Sequence, residues 1–386
     1  MAYAASIFYF SLFVLVYIYL LYPVIISFLG NCFAKQRNGT LPEAFIDFNI
    51  IVAAYNEEKV IEEKILNLLE IDYPHNLYKV TVVSDGSSDE TESIVLRYEN
   101  LHADRISLLR VENRLGKTNA INKAMADNQC SVVIFTDANV MLSSNSLKVL
   151  AKEYSNQKVG GIAGSLTYVN PEASGSAYSN GLYWRYEEFI KEAESRTGAV
   201  MGADGSIFSI RARLYRALPI HVLDDFCTSM NVVIQGLEFR FCKALKAYEK
   251  GAVGSREEFV RKIRIANRSY NSFKYLKPFR KLGWIDKWKF FSHKYLRWNT
   301  CIFMIAAIFS NFFLMLSGER FWAFCMLLQG VFYLLAIAKA CMPNVKIPFG
   351  AIVHYFVFAN LATMIGVLKS IFGSKISVWE KAQSTR

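Results

Sequence analysis

The sequence predicts an α/β chain: a mostly parallel sheet covered by helices on both faces, joined to interfacial and transmembrane helices. Three observations predict it. Between residues 48 and 251, apolar runs of strand length alternate with amphipathic helical stretches. Polar clusters around Asn56, Asp85 and Asp137 each directly follow an apolar run, at the carboxyl ends of strands, where open sheets of this kind bind their ligands. Long apolar segments occupy both ends of the chain, in keeping with a hydrophobic content of 53% and a mean hydropathy of +0.20.

Residues 7–29 are almost wholly apolar and long enough to cross a bilayer core. The run lacks the charged n-region and small-residue cleavage pattern of a signal peptide, so residues 1–34 read as a transmembrane segment. Lys35 and Arg37 follow at once, which places the next domain in the cytoplasm by the positive-inside tendency. That domain spans 47–251. Its strands are expected over 48–54, 78–84, 106–111 and 132–136. Helices are expected over 57–70, where Val60, Ile61, Ile65, Leu68 and Leu69 share a face, and over 90–98.

Residues 252–298 mix cations with Trp284, Trp288 and Trp298, which suits amphipathic helices in the membrane interface. Residues 299–371 hold three further stretches of near-spanning length, over 299–316, 321–340 and 349–371, and 372–386 form a tail. One helix before the domain and three after it would leave the tail outside, against the cations Lys369, Lys375, Lys381 and Arg386. One segment is therefore expected not to span. The suspect is 349–371, because His354 and Asn360 are costly in lipid.

The formal charge of +11 brings no nucleic-acid motif with it, and the cations crowd between Arg256 and Arg297, before apolar segments. They suit anionic headgroups and phosphates. Seven cysteines without a Cys-x-x-Cys pair suggest neither a disulfide framework nor a zinc site, and a reducing compartment fits them. Oligomeric state is left open.

Chemistry enters at Val132-Val133-Ile134-Phe135-Thr136-Asp137-Ala138-Asn139. Alternation puts Asp137 and Asn139 on one side, and two oxygen side chains at a strand end can hold Mg2+ or Mn2+, which in turn can hold a diphosphate. The competing reading is a turn cap. Before it come Ala53-Ala54-Tyr55-Asn56-Glu57, Ser84-Asp85-Gly86-Ser87-Ser88-Asp89 and Arg114-Leu115-Gly116-Lys117, and after it Leu223-Asp224-Asp225 and a cationic helix carrying Arg261, Arg264 and Arg268.

In that order and spacing, these motifs resemble family 2 glycosyltransferases of the GT-A fold, in particular the membrane-integrated synthases of cellulose, chitin, hyaluronan and poly-N-acetylglucosamine. The resemblance implies donor contacts by Ala53, Tyr55, Glu57, Asp85, Lys117, Arg261, Arg264 and Arg268, and a metal on Asp137 and Asn139. It makes Asp225 the catalytic base, with Asp224 beside it. Adjacent carboxylates raise one another's pKa, which suits a base, although both also suit a helix N-terminus. Gly202-Ala203-Asp204 matches the acceptor-side segment, where small residues let a sugar approach the backbone, and Trp184 could stack on a sugar ring. Asp204 could equally hold a turn.

Departures from the family pattern are as informative. Asn139 stands where a second Asp is usual, and Arg261 and Ile265 replace the Gln and Trp of the Gln-x-x-Arg-Trp motif. Trp379, Glu380, Lys381 and Arg386 resemble the tail element of relatives. The implied function is inverting, metal-dependent transfer from a UDP-sugar, with a hexosamine donor expected, to a growing β-linked polysaccharide at the lipid bilayer; export of the product is left open. The alternative acceptor is a polyprenyl-linked or other lipid. A scaffold that has lost activity is the reading from another class.

Overall fold

The computed structural model describes residues 1–32, 45–169, 175–250, 255–342, 345 and 347–377. The cations Lys35 and Arg37 and the tail residues Trp379, Glu380, Lys381 and Arg386 lie outside the described residues.

A first helix, α1 (Ala2–Cys32), precedes the domain. The sheet then begins with β1 (Phe48–Ala54), α2 (Ile61–Leu69), β2 (Tyr78–Asp85), α3 (Thr91–Leu101), β3 (Ile106–Val111), α4 (Lys117–Ala126) and β4 (Val132–Asp137). It continues with β5 (Met141–Leu142), α5 (Ser146–Tyr154), β6 (Val159–Tyr168), α6 (Gly175–Arg196), β7 (Ile207–Arg211), α7 (Asp224–Ile234) and β8 (Glu238–Glu249). Strand order is β3-β2-β1-β4-β7-β6-β8-β5.

The half containing β1 to β4 is parallel, as expected. The other half is not: β7 runs antiparallel to both β4 and β6, and β5 antiparallel to β8, so the sheet is mixed. Alternation along the central strands fills both faces. Ile50, Val52 and Ile134 face one apolar core, while Ile51, Ala53, Val133 and Phe135 face the other. Strands buried on both faces read as unbroken apolar runs, which is why β1 and β4 were visible in the sequence. Their register sets Ala53 beside Asp137 at the strand ends.

After the sheet come α8 (Ser255–Leu276), α9 (Trp284–Trp298), α10 (Thr300–Met315), α11 (Arg320–Cys341) and α12 (Gly350–Ile371). Helices α1, α11 and α12 are long and apolar enough to cross a membrane, and α9 with α10 makes a fourth candidate bent by 60°. The bent element is this pair, and the last segment is long and apolar enough to span. At 16 residues, α10 reaches only about 24 Å, whereas α12 is an unbroken helix of 22 residues. The polar groups of α12 are met inside the bundle. His354 Nδ1 lies 3.2 Å from the Ala336 carbonyl oxygen, and Asn360 accepts a bond from the Tyr19 hydroxyl, also at 3.2 Å. Partners of this kind remove much of the cost of polar side chains in lipid.

Candidate active site

Asp137 ends β4, Lys117 opens α4, and Asp224 and Asp225 open α7, so three element termini deliver charge to one place. Lys117 Nζ lies 2.5 Å from Asp137 Oδ1 and 3.8 Å from Asp224 Oδ2. Gly205, just before β7, marks where they meet. A Cβ added there would stand 3.2 Å from Asp225 Oδ2, 3.2 Å from Lys117 Nζ and 4.0 Å from Asp137 Oδ2. A side chain at this position would occupy the space a ligand needs.

Burial and neighbouring Asp224 push the Asp225 carboxyl up to about 7, against the pull of Lys117 and the Phe226 N–H. Burial disfavours the charge of Lys117, but Asp137, Asp224 and Asp225 outweigh it and hold the ammonium above its ordinary range. Asp224 is buried and lies 3.7 Å from Arg268 Nη2 as well as near Lys117, so its charge is spent on two cations. Of the two adjacent carboxylates, Asp225 has the character of a base.

The residues expected on the donor side divide into two groups. Ala53, Glu57, Lys117, Arg261, Arg264 and Arg268 all line one cavity of about 1240 Å³ that also contains Asp137 and Asp225. Asp85 instead is fully buried and accepts the N–H groups of Leu115 at 3.1 Å and Gly116 at 2.9 Å, holding the turn that launches Lys117. Tyr55 lies under the Arg114 guanidinium, 3.8 Å from ring centroid to carbon. Arg268 points its guanidinium at the protein, to the Val222 carbonyl and the Thr118 hydroxyl.

Asn139 lines the same cavity as Asp137, yet its amide donates to Glu249 Oε1 at 2.9 Å. No group of three or more His, Cys, Asp or Glu side chains among the described residues could hold a metal ion. A hard oxygen donor at a strand end fits Mg2+ or Mn2+ in the mode where one carboxylate and the substrate's own phosphates complete the shell.

Of the residues expected on the acceptor side, Asp204 pairs with buried Lys191, whose ammonium also sits 5.0 Å from the Trp184 ring centroid. The indole Nε1 of Trp184 is buried, without a hydrogen-bond partner among the described residues, in the cavity wall. Gly202 has φ +111° and lies so close to the Phe226 ring that a Cβ would approach it to 2.8 Å.

A buried network beneath this side escaped the sequence reading. His293 lies 3.1 Å from Glu187 Oε2 and 2.8 Å from Glu194 Oε1, Arg297 pairs with Glu187, and the Tyr22 hydroxyl donates to Glu194 at 2.6 Å. Although burial opposes it, Arg297 and His293 hold the Glu187 carboxyl well below its usual range. The signal was present as Glu187 and Glu194 two turns apart on α6, and His293 and Arg297 one turn apart on α9.

Residues 49–218 match the family model described as Glycosyl transferase family 2. A beta-monoglucosyldiacylglycerol synthase of Trichormus variabilis is 31% identical over 132 residues, 34% of this chain and 27% of that protein. A poly-beta-1,6-N-acetyl-D-glucosamine synthase of Staphylococcus epidermidis is 25% identical over 158 residues, 41% of this chain and 37% of that protein. The chain thus spans well under half the length of these two relatives. Among solved structures, a mannosyltransferase of Pyrobaculum calidifontis, in complex with GDP-Man and Mn2+, superposes with a TM-score of 0.72 at 20% identity. The superposition covers 97% of this chain and 99% of that one. Residues 49–218 thus form a domain that matches glycosyl transferase family 2, and that domain has the GT-A fold.

Proposed function

We propose that the chain transfers a sugar, with inversion, from a UDP-sugar to a hydroxyl of a growing β-linked polysaccharide at the membrane. The observation that carries the reading is the convergence of Asp225, Lys117 and Asp137 around Gly205. Asp225 takes the proton of the acceptor hydroxyl as its oxygen bonds to the anomeric carbon; the carbon–oxygen bond to the diphosphate breaks, and the nucleoside diphosphate leaves. Lys117 and, from α8, Arg261 and Arg264 supply positive charge where the leaving diphosphate gains negative charge. Asp137 would hold a divalent cation, which supplies Lewis-acid neutralisation of the same diphosphate. The polysaccharide synthase relative supports a hexosamine donor such as UDP-N-acetylglucosamine.

A second acceptor reading has its own observation. Tyr19 of α1 and Tyr355, Phe356, Ala359, Asn360 and Thr363 of α12 line the cavity that holds Asp225, so the site reaches along a helix long enough to span a membrane. That geometry suits an acceptor delivered on a lipid, and the glycolipid synthase relative supports it.

The test is product analysis of purified protein in nanodiscs, with Mn2+ or Mg2+ and a panel of radiolabelled UDP-sugars plus GDP-mannose, beside Asp225→Asn. A ladder of products absent from the mutant establishes the polysaccharide reading. A single labelled lipid establishes the second. No transfer from any donor by folded protein overturns both.

A further inference from the structure

Helix α8 is gripped on two faces by two different parts of the molecule. One face holds the turn that leads into Asp225. Arg268 donates through Nε to the Val222 carbonyl at 3.1 Å and through Nη2 to the Thr118 hydroxyl at 2.6 Å, and its Nη2 stands 3.7 Å from Asp224. One turn on, Ser272 Oγ accepts the Leu223 N–H at 2.9 Å. Residues 222–224 are thus fixed from α8, and Asp225 is the next residue.

The adjacent face of α8 holds the end of α12. Asn267 Nδ2 donates to the carbonyls of Gly366 at 3.4 Å and Ser374 at 3.2 Å. Asn271 Nδ2 reaches the same Ser374 carbonyl at 3.2 Å, while Ser370 Oγ donates to Asn271 Oδ1 at 2.6 Å and Lys274 Nζ to the Ser370 carbonyl at 2.5 Å. Asn267, Asn271 and Lys274 are spaced at i, i+4 and i+7, one stripe of a helix. Gly366 lets the two helices touch: a Cβ there would collide with the Ile263 carbonyl oxygen and lie 2.7 Å from Ala266 Cβ and 2.9 Å from Asn267 N.

Asn267, Arg268, Asn271, Ser272 and Ser370 are all buried. A run of satisfied polar contacts between packed helices has few alternative arrangements, because each bond lost leaves a buried group unpaired. From these contacts we infer that α12 is a positioning element of the catalytic centre: its end, seated on Asn267 and Asn271, fixes α8, and α8 through Arg268 and Ser272 fixes the Asp224–Asp225 turn. Arg268 and Gly366 are positioning residues. Neither needs to touch the acceptor or the sugar. The kinetic consequence rests on the transferase reading above; the structural coupling does not.

The experiment compares the full chain in nanodiscs with Gly366→Leu, Gly366→Ala and the double variant Asn271→Ala, Ser370→Ala. Hydrogen exchange of the peptide over residues 220–228 and steady-state kinetics are measured on each. The expected result is exchange at that peptide faster by about tenfold or more in Gly366→Leu. With it, kcat falls about tenfold or more while the donor KM moves less than about twofold, as for a misplaced base rather than a lost ligand contact. Gly366→Ala should give a smaller effect of the same kind. The double variant removes hydrogen bonds without adding volume and should reproduce the exchange change, which keeps the test alive should Gly366→Leu not fold. Unchanged exchange over 220–228 in a folded double variant overturns the inference, as does a wild-type kcat in folded Gly366→Leu. Should the wild type transfer no sugar, the transferase reading fails by itself, and the exchange arm still decides the coupling.

Discussion

Lys117 Nζ stands 2.5 Å from Asp137 Oδ1 and 3.8 Å from Asp224 Oδ2, a single cation shared between the end of β4 and the start of α7. It holds together carboxylates that would otherwise repel one another and separate. Lys117→Met should lower kcat by about 10²-fold or more, the size seen when one preorganised charge-stabilising group is removed. Lys117→Arg should recover part of that loss. Initial-rate kinetics on both variants checks the ordering, and equal losses would assign Lys117 a purely steric role.

Asp225 gives a pH signature. A base must be deprotonated, and burial beside Asp224 raises this carboxyl to about 7, so kcat/KM should fall as pH drops through about 7. Asp225→Asn should lose about 10²- to 10⁴-fold in rate and flatten the limb. The stability effect has the opposite sign. A carboxyl whose folded pKa is raised favours the folded state only while protonated, so the wild type loses stability as pH rises from about 4 to about 7. Without donor at pH 8, Asp225→Asn should therefore melt higher than wild type, and near pH 4 the two should coincide. A mutant that is inactive and also less stable at pH 8 would point to misfolding instead.

How much of this was legible in advance depended on sequence distance. The strands Phe48–Ala54 and Ile106–Val111 were read to the residue; the first is buried along its whole length, and a strand covered on both faces reads as an apolar run, here broken only by Asn49. The antiparallel placement of β7 was hidden, since Ile207–Arg211 gives no sign of which neighbour it pairs with or in which direction. Asp137, Asp225 and Lys117 were nameable from their motifs, and the structure brings all three together. Asp85 and Arg268 were nameable too, but their hydrogen bonds turn inward, to Gly116 and Val222, a difference of orientation that spacing does not encode. Glu187 and His293 are 106 residues apart and meet only through tertiary packing.

Two glycines separate chemistry from folding. Gly205 has room except for Asp225, Lys117 and Asp137, so Gly205→Ala places its methyl between Asp225 and Lys117 and should cost about tenfold in kcat with little change in melting temperature. Gly202 has φ +111° and faces the Phe226 ring, so Gly202→Ala meets backbone strain and overpacking together and should destabilise by about 1–3 kcal/mol. Thermal unfolding and kinetics on the pair check it: both glycines behaving alike would mean the site has no special spatial demand at Gly205.

Metal affinity should depend on the donor. Among the described residues no three acidic, His or Cys side chains are placed to hold a metal ion together, so the protein alone offers too few ligands for a tight site. Mn2+ titrations followed by electron paramagnetic resonance should show weak binding to the free protein, tightened about tenfold or more by UDP, whose phosphates would complete the shell. Asp137→Ala should remove the UDP-linked increment. Tight binding without nucleotide would mean a different ligand set.

The buried network under the acceptor side ties α1, α6 and α9 into one unit, and its members are poorly replaceable one at a time. Arg297→Met would leave Glu187 buried with His293 as its ion-pair partner, a charge stripped of its strongest counterion. Removing one partner of a buried pair costs about 3–5 kcal/mol, because the other stays desolvated and uncompensated. Glu187→Gln paired with Arg297→Met leaves no bare carboxylate and should recover part of the loss. Because the network also holds Tyr22 of α1 through Glu194, the single variant should loosen α1 from α6, read as faster exchange over residues 183–196 and a lower melting temperature in nanodiscs. A double variant no more stable than the single one would show that shape, not charge, fixes this contact.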